Sequence, residues 1–168
     1  AITIAAWIKP QVRKGRTILS TVEPNGYQLG AGGNGKVEFW FNSTTNGTTY
    51  RLYSNTNYPV DGNTWMHVAA TFDGQTSKIY INGVEDNSIT YSSPVEIGSN
   101  TSDLVIGALK EDNRWNGALD DVRLYNRALT ASEVGGLNSV GFALAKSSVV
   151  LSNELLEADL IKIGRAHV

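Results

Sequence analysis

Trp40 stands in a stretch, Lys36–Asn42, whose alternation sorts its side chains onto two faces. Val37, Phe39 and Phe41 form one apolar face, which leaves Trp40 on the other with Glu38 and Asn42. Tyr80 is placed alike, outward with Lys78 and Asn82, while Ile79 and Ile81 point inward. An outward ring flanked by hydrogen-bonding side chains suits sugar recognition. The ring stacks on the C–H face of a pyranose while the polar groups take its hydroxyls. Cross-strand packing on the second face of a sheet accounts for the same pattern. Trp115 lies in the polar run Glu111-Asp112-Asn113-Arg114-Trp115-Asn116, and loops carry binding, so it reads as a rim contact or a loop anchor. Trp65 opens an apolar strand and Trp7 lies within the strand pattern at 2–9, and both are expected to be structural. Asp120 and Asp121 fall inside a strand pattern, where Asp is disfavoured. Alternation puts Asp120 inward with Val122 and Leu124, where a carboxylate needs partners. His67 reads as a structural histidine facing outward beside a core strand. The other histidine, His167, belongs to a suspect tail, so a metal pair or proton relay is not expected.

The elements that would hold these residues are strands. Residues 65–83 carry the strongest signal: Val68, Ala70 and Phe72 alternate with polar or small residues, Asp73-Gly74 interrupts, and Ile79 and Ile81 resume. Asn82-Gly83 then supplies the positive φ angles of a type I′ hairpin turn. The spacing predicts strands near 2–9, 16–22, 26–31, 36–42, 48–53, 65–73, 77–82, 84–90, 103–108 and 117–126, punctuated by Gly, Asn and Asp turns. This is an all-β pattern, a two-sheet antiparallel sandwich. Thr130-Ala131-Ser132-Glu133 is a capping box for a short helix near 131–136, which Gly135-Gly136 should end. The texture changes beyond it. Residues 138–162 read as a linker or a docked helix carrying Leu156 and Leu160 on one face.

Composition narrows the function classes. The 168 residues allow one domain, and 41% apolar content suits a globular core. A net charge of −2 with dispersed Lys and Arg argues against nucleic acid. No apolar run approaches the ~20 residues of a membrane span. The lack of cysteine removes disulfides and thiol catalysis. Ala1 stands where an initiator Met would be, so a fragment of a longer reading frame is expected. Residues 163–168, Ile-Gly-Arg-Ala-His-Val, match what a sequencing adaptor spells in one frame, and are suspected to be non-biological.

An ordered series of short motifs resembles the LamG-like jelly-roll family of the concanavalin A-like lectin and glucanase fold. The series includes Thr3-Ile4-Ala5-Ala6-Trp7-Ile8, Gly26-Tyr27-Gln28-Leu29-Gly30, Trp65-Met66-His67-Val68-Ala69, Lys78-Ile79-Tyr80-Ile81-Asn82-Gly83 and Gly117-Ala118-Leu119-Asp120-Asp121-Val122-Arg123-Leu124-Tyr125. It spans residues 2 to about 137, and residues 1–137 are taken as the jelly roll. The resemblance implies a non-catalytic recognition module in a secreted or cell-surface bacterial protein of several domains, binding glycans or protein surfaces. The rival readings are an adhesive spacer and an accessory domain of a glycoside hydrolase. It also implies calcium in the intact domain, with Asp120 as a ligand beside oxygens of an opening loop, and no other cofactor. The alternative for Asp120 is a carboxylate bonded to loop amides. Family members usually open with one further strand, missing here. The edge beside 120–126 is therefore expected to be unpaired or covered by residues 137–162. Some glucanases of this fold use a Glu-x-Asp-x-x-Glu strand. This chain has no such run, and adjacent Glu85 and Asp86 face opposite sides. No catalytic residue is expected.

Overall fold

The computed structural model describes residues 1–14, 16–21, 26–43, 47–98, 101–109, 113–144, 160–162 and 166–167. The elements run β1 (Ile2–Pro10), β2 (Arg16–Thr21), β3 (Tyr27–Ala31), β4 (Lys36–Asn42), β5 (Thr49–Asn57), β6 (Met66–Phe72), β7 (Thr76–Ile81), β8 (Val84–Thr90), β9 (Leu104–Ile106), β10 (Gly117–Tyr125), α1 (Ala131–Leu144), β11 (Leu160–Lys162) and β12 (Ala166–His167). Two antiparallel sheets form. One runs β11-β10-β1-β6-β7-β8, with β12 also on β10; the other runs β5-β4-β3-β2-β9. This is the expected jelly-roll sandwich, and all ten strands read from periodicity are present.

The core lies between the sheets because alternation delivers one apolar side chain per two residues from each strand. Ile2, Ile4, Ala6 and Ile8 of β1, Val68, Ala70 and Phe72 of β6, and Val37, Phe39 and Phe41 of β4 all enter it. The β7–β8 turn has Asn82 at φ 50° and Gly83 at φ 81°, as its Asn-Gly sequence requires.

Helix α1 covers the outer face of the seven-stranded sheet. Leu129, Val134 and Leu137 pack with Ala5, Ala69, Tyr80 and Tyr125 in a second apolar cluster. The capping box forms: Thr130 Oγ1 accepts from Glu133 N at 3.3 Å, and Thr130 N donates to Glu133 Oε2 at 2.8 Å. Arg127 grips the same carboxylate at 2.7 and 3.0 Å. That guanidinium, with the Thr130 amide, pulls Glu133 down to about 2. Thr3 Oγ1 accepts from Leu129 N and donates to Arg127 O, tying the connection to β1.

The helix expected near 131–136 continues to Leu144. Gly135-Gly136 does not end it, because neither glycine takes the positive φ that closes a helix. The glycine that lets the hairpin turn lie against the helix is Gly83. A Cβ on Gly83 would come within 3.2 Å of Gly135 Cα. In the tail, residues 145–159 and with them Leu156 lie outside the described residues, while Leu160 is in a strand, not a helix. The outer edge of β10 pairs with β11 at Arg123–Tyr125 and with β12 at Ala118–Leu119. Of the two outcomes expected for that edge, cover is the one found, and β12 lies beyond the 137–162 segment.

Candidate functional site

The two aromatic residues singled out by alternation lie on opposite sides of the sandwich. Trp40 is on the outer face of the five-stranded sheet, and Tyr80 and Lys78 are on the outer face of the seven-stranded one. They cannot form one contact surface. Tyr80 is 1% exposed beneath α1, so its outward direction leads into a covered interface. Lys78 is paired with Glu85 at 2.8 Å. Trp115 is not a rim residue: it is 3% exposed within the core, its backbone N bonded to Gly107 O at 2.7 Å. Trp65, expected to be structural, is instead exposed, with the Lys9 ammonium 5.2 Å from its ring centroid.

Asp120 also faces the other way from the expectation. Ala5 pairs with Arg123 but Trp7 pairs with Asp120, so two residues of β10 oppose Ala6 in a β-bulge. Asp121 takes φ 50° there. The extra residue resets the alternation: Leu119 and Val122 both enter the core, and Asp120 lies opposite outward-facing Trp7. Its Oδ1 accepts from Asp121 N at 2.9 Å. Calcium binds six to eight oxygens. Among the described residues no three His, Cys, Asp or Glu side chains gather in reach of one ion. No step of the function is routed through calcium.

The same outer face holds His67, 2% exposed and edge-on to Trp7 with ring centroids 5.4 Å apart. Asp121 and Arg123 pair beside it at 2.8 Å. Burial pushes His67 from 6.5 down to about 4, against the attraction of Asp121 and aided by Arg123. The folded state thus prefers neutral imidazole, and the unfolded chain binds the proton first as pH falls. Stability from this group is full above pH 6.5 and is lost as pH falls towards 4. The loss amounts to about 3 kcal/mol for a shift of this size. Urea unfolding at several pH values in this window should show a steeper decline for wild type than for His67→Gln. Equal slopes would contradict the burial.

The outer face of the five-stranded sheet has a different character. Alternation along β5 places Thr49, Arg51 and Tyr53 outward, opposite Asn42, Trp40 and Glu38 of β4. Tyr53 is 37% exposed. Arg51 Nη1 donates to Glu38 Oε2 at 3.1 Å and to Tyr53 Oη at 3.4 Å, and its guanidinium lies 6.0 Å from both the Trp40 and Tyr53 ring centroids. Burial works against the Arg51 charge, but the bonds to Tyr53 and Glu38 outweigh it and raise its pKa. Glu38 Oε1 accepts from Gln28 Nε2 at 3.4 Å, and Gln28 Oε1 accepts from Thr17 Oγ1 at 3.3 Å. Thr49 Oγ1 donates to Asn42 Oδ1 at 2.7 Å. Trp40 is 6% exposed with Arg51 over it, so the ring presented to solvent is that of Tyr53. Sequence reasoning passed over Tyr53 and Arg51, although the period of two in Thr49–Asn57 puts them on one face.

This sandwich, with one face under a helix and the other bearing aromatic and polar side chains, has the architecture of a lectin-like binding domain. The chain belongs to the concanavalin A-like lectin/glucanases superfamily, whose family model matches residues 1–135. A search of curated proteins returns no match. Among solved structures it is similar to domain 4 of AbnA, a GH43 extracellular arabinanase from Geobacillus stearothermophilus, in complex with arabinotriose. That likeness has TM-score 0.65 and 26% identity, covering 82% of this chain and 66% of that one. It is also similar in fold to the Ruminococcus gnavus IT-sialidase CBM40 bound to α2,3 sialyllactose, with TM-score 0.66, 17% identity and 82% of each chain covered. The binding domain of Paraclostridial Mosquitocidal Protein 1 shares the fold at TM-score 0.65 and 19% identity, over 84% of this chain and 37% of that one. The chain therefore spans just under two-thirds of the arabinanase domain and little over a third of the toxin domain. No helix among the described residues is long and apolar enough to cross a membrane.

Proposed function

We propose that residues 1–137 form a non-catalytic glycan-recognition module of a larger extracellular bacterial protein, binding on the outer face of the five-stranded sheet. The observation that carries this reading is Tyr53: an exposed ring flanked on its own face by Arg51 and Glu38. A sugar ring stacked on Tyr53 meets donors from Arg51 and an acceptor in Glu38, and sugar hydroxyls both donate and accept. The likeness to glycan-binding domains supports the reading. A shallow site of this kind binds weakly and gains from repetition in the parent protein.

The test is a glycan array followed by calorimetric titration of the best binder. Tyr53→Ala is expected to weaken binding about tenfold, a loss of ~1.4 kcal/mol, at an unchanged melting temperature. Retention of no glycan at all, with Tyr53→Ala indistinguishable from wild type, would leave the spacer reading, which the cover of Trp40 by Arg51 favours.

A further inference from the structure

We infer that Glu38 restricts this face to uncharged glycans by keeping the Arg51 guanidinium engaged; the inference rests on the proposed glycan site and names its ligand class. An acidic sugar, sialylated or uronic, is held best by a guanidinium free to pair with its carboxylate in fork geometry. Arg51 is the cation beside the exposed Tyr53 ring, and it is already committed: its Nη1 bonds Glu38 Oε2 at 3.1 Å. Glu38 lies directly opposite Tyr53 in the strand register. A ligand carboxylate arriving over Tyr53 to reach Arg51 would come to rest close to a second carboxylate.

The carboxylate is itself fixed in place. Glu38 has its other oxygen on Gln28 Nε2, and Gln28 is oriented by Thr17 Oγ1. The side chain of Glu38 is 13% exposed against 42% for that of Arg51, so Glu38 is the anchored partner and Arg51 the one that could swing. The remaining charged residue of β4 and β5 is Lys36, at the start of β4, and its Nζ donates to Asn55 O. Beside the Tyr53 ring the Glu38 and Arg51 charges therefore offset each other, and Lys36 is held on a backbone carbonyl. A neutral sugar fits that arrangement, because one hydroxyl can donate to Glu38 while its neighbour accepts from Arg51.

The experiment compares matched neutral and acidic glycans, such as lactose with 3′-sialyllactose and neutral with uronate-bearing oligosaccharides, on the full chain. Wild type is expected to retain only neutral members. Glu38→Gln keeps an acceptor for Gln28 but removes the charge, and is expected to raise affinity for the acidic partner of each pair about tenfold. Arg51→Gln added to Glu38→Gln should cancel that gain, an effect that a merely structural role for Glu38 would not produce. Equal wild-type retention of acidic and neutral glycans, abolished by Tyr53→Ala, would overturn this inference and leave the glycan site standing. So would a Glu38→Gln protein that melts like wild type and gains nothing. Retention of no glycan by wild type would overturn both.

Discussion

Gly117→Ala is expected to cost about 3 kcal/mol or more of folding stability. Gly117 opens β10 at φ 136°, a conformation in which an L side chain is strained wherever it is placed. Space is lacking too. A Cβ there would lie 2.2 Å from the Lys9 carbonyl oxygen and 3.0 Å from Pro10 Cα, both backbone atoms of the paired strand β1. Neither can rotate aside as a side chain would, so relief means separating β10 from β1 where the two strands start to pair. Urea unfolding measures the loss directly. Gly136→Ala is the control: its added methyl meets nothing within 4 Å on a helix, and should stabilise by up to ~1 kcal/mol. A Gly117→Ala protein as stable as wild type would mean that β10 does not begin this way.

Trp115→Ala is expected to destabilise by about 3–5 kcal/mol, a large part of the ~5–15 kcal/mol that holds a domain together. The indole is 3% exposed in the core between the sheets, and its removal leaves a cavity that the rigid strands around it cannot close. Its path inward is set by two backbone bonds, Trp115 N to Gly107 O at 2.7 Å and Gln11 N to Asn116 O at 3.0 Å. Trp65→Ala serves as the comparison. That ring is 38% exposed against Lys9, and its loss should stay within about 1 kcal/mol. Thermal and urea melts of the two variants decide the matter. Loss of glycan binding by Trp115→Ala at wild-type stability would restore the rim role that its polar loop suggests.

The four tryptophans mark the limit of what could be read in advance. Period-two alternation is a local property, set by the pleat, and it correctly separated Trp40 from Phe39 and Phe41. Which outward face stays open is a different matter. Tyr80 and Tyr53 are both outward on strands, yet one lies under a helix more than fifty residues downstream and the other faces solvent. Nothing near Tyr80 announces Leu129, Val134 or Leu137. Trp115 was misplaced for a related reason: polar neighbours mark a loop, but not the direction in which the loop's one large apolar side chain turns. Asp120 failed through a single residue. Alternation carried across the bulge at Asp121 inverts every assignment on its N-terminal side.

The amino-acid sequence alone determined the ten strands, the Asn82-Gly83 turn, the helix cap at Thr130 and Glu133, and the membership of a sandwich. Each depends on interactions between residues a few positions apart, so a short window holds the whole signal. The tertiary structure alone decided that Trp40 and Tyr80 stand on opposite sides, that α1 closes one of those sides, and that Glu38 and Arg51 meet beside Tyr53. Those facts depend on which strands become neighbours and in what register. Residue spacing along the chain does not encode that, because the pairing is chosen by burial summed over the whole core.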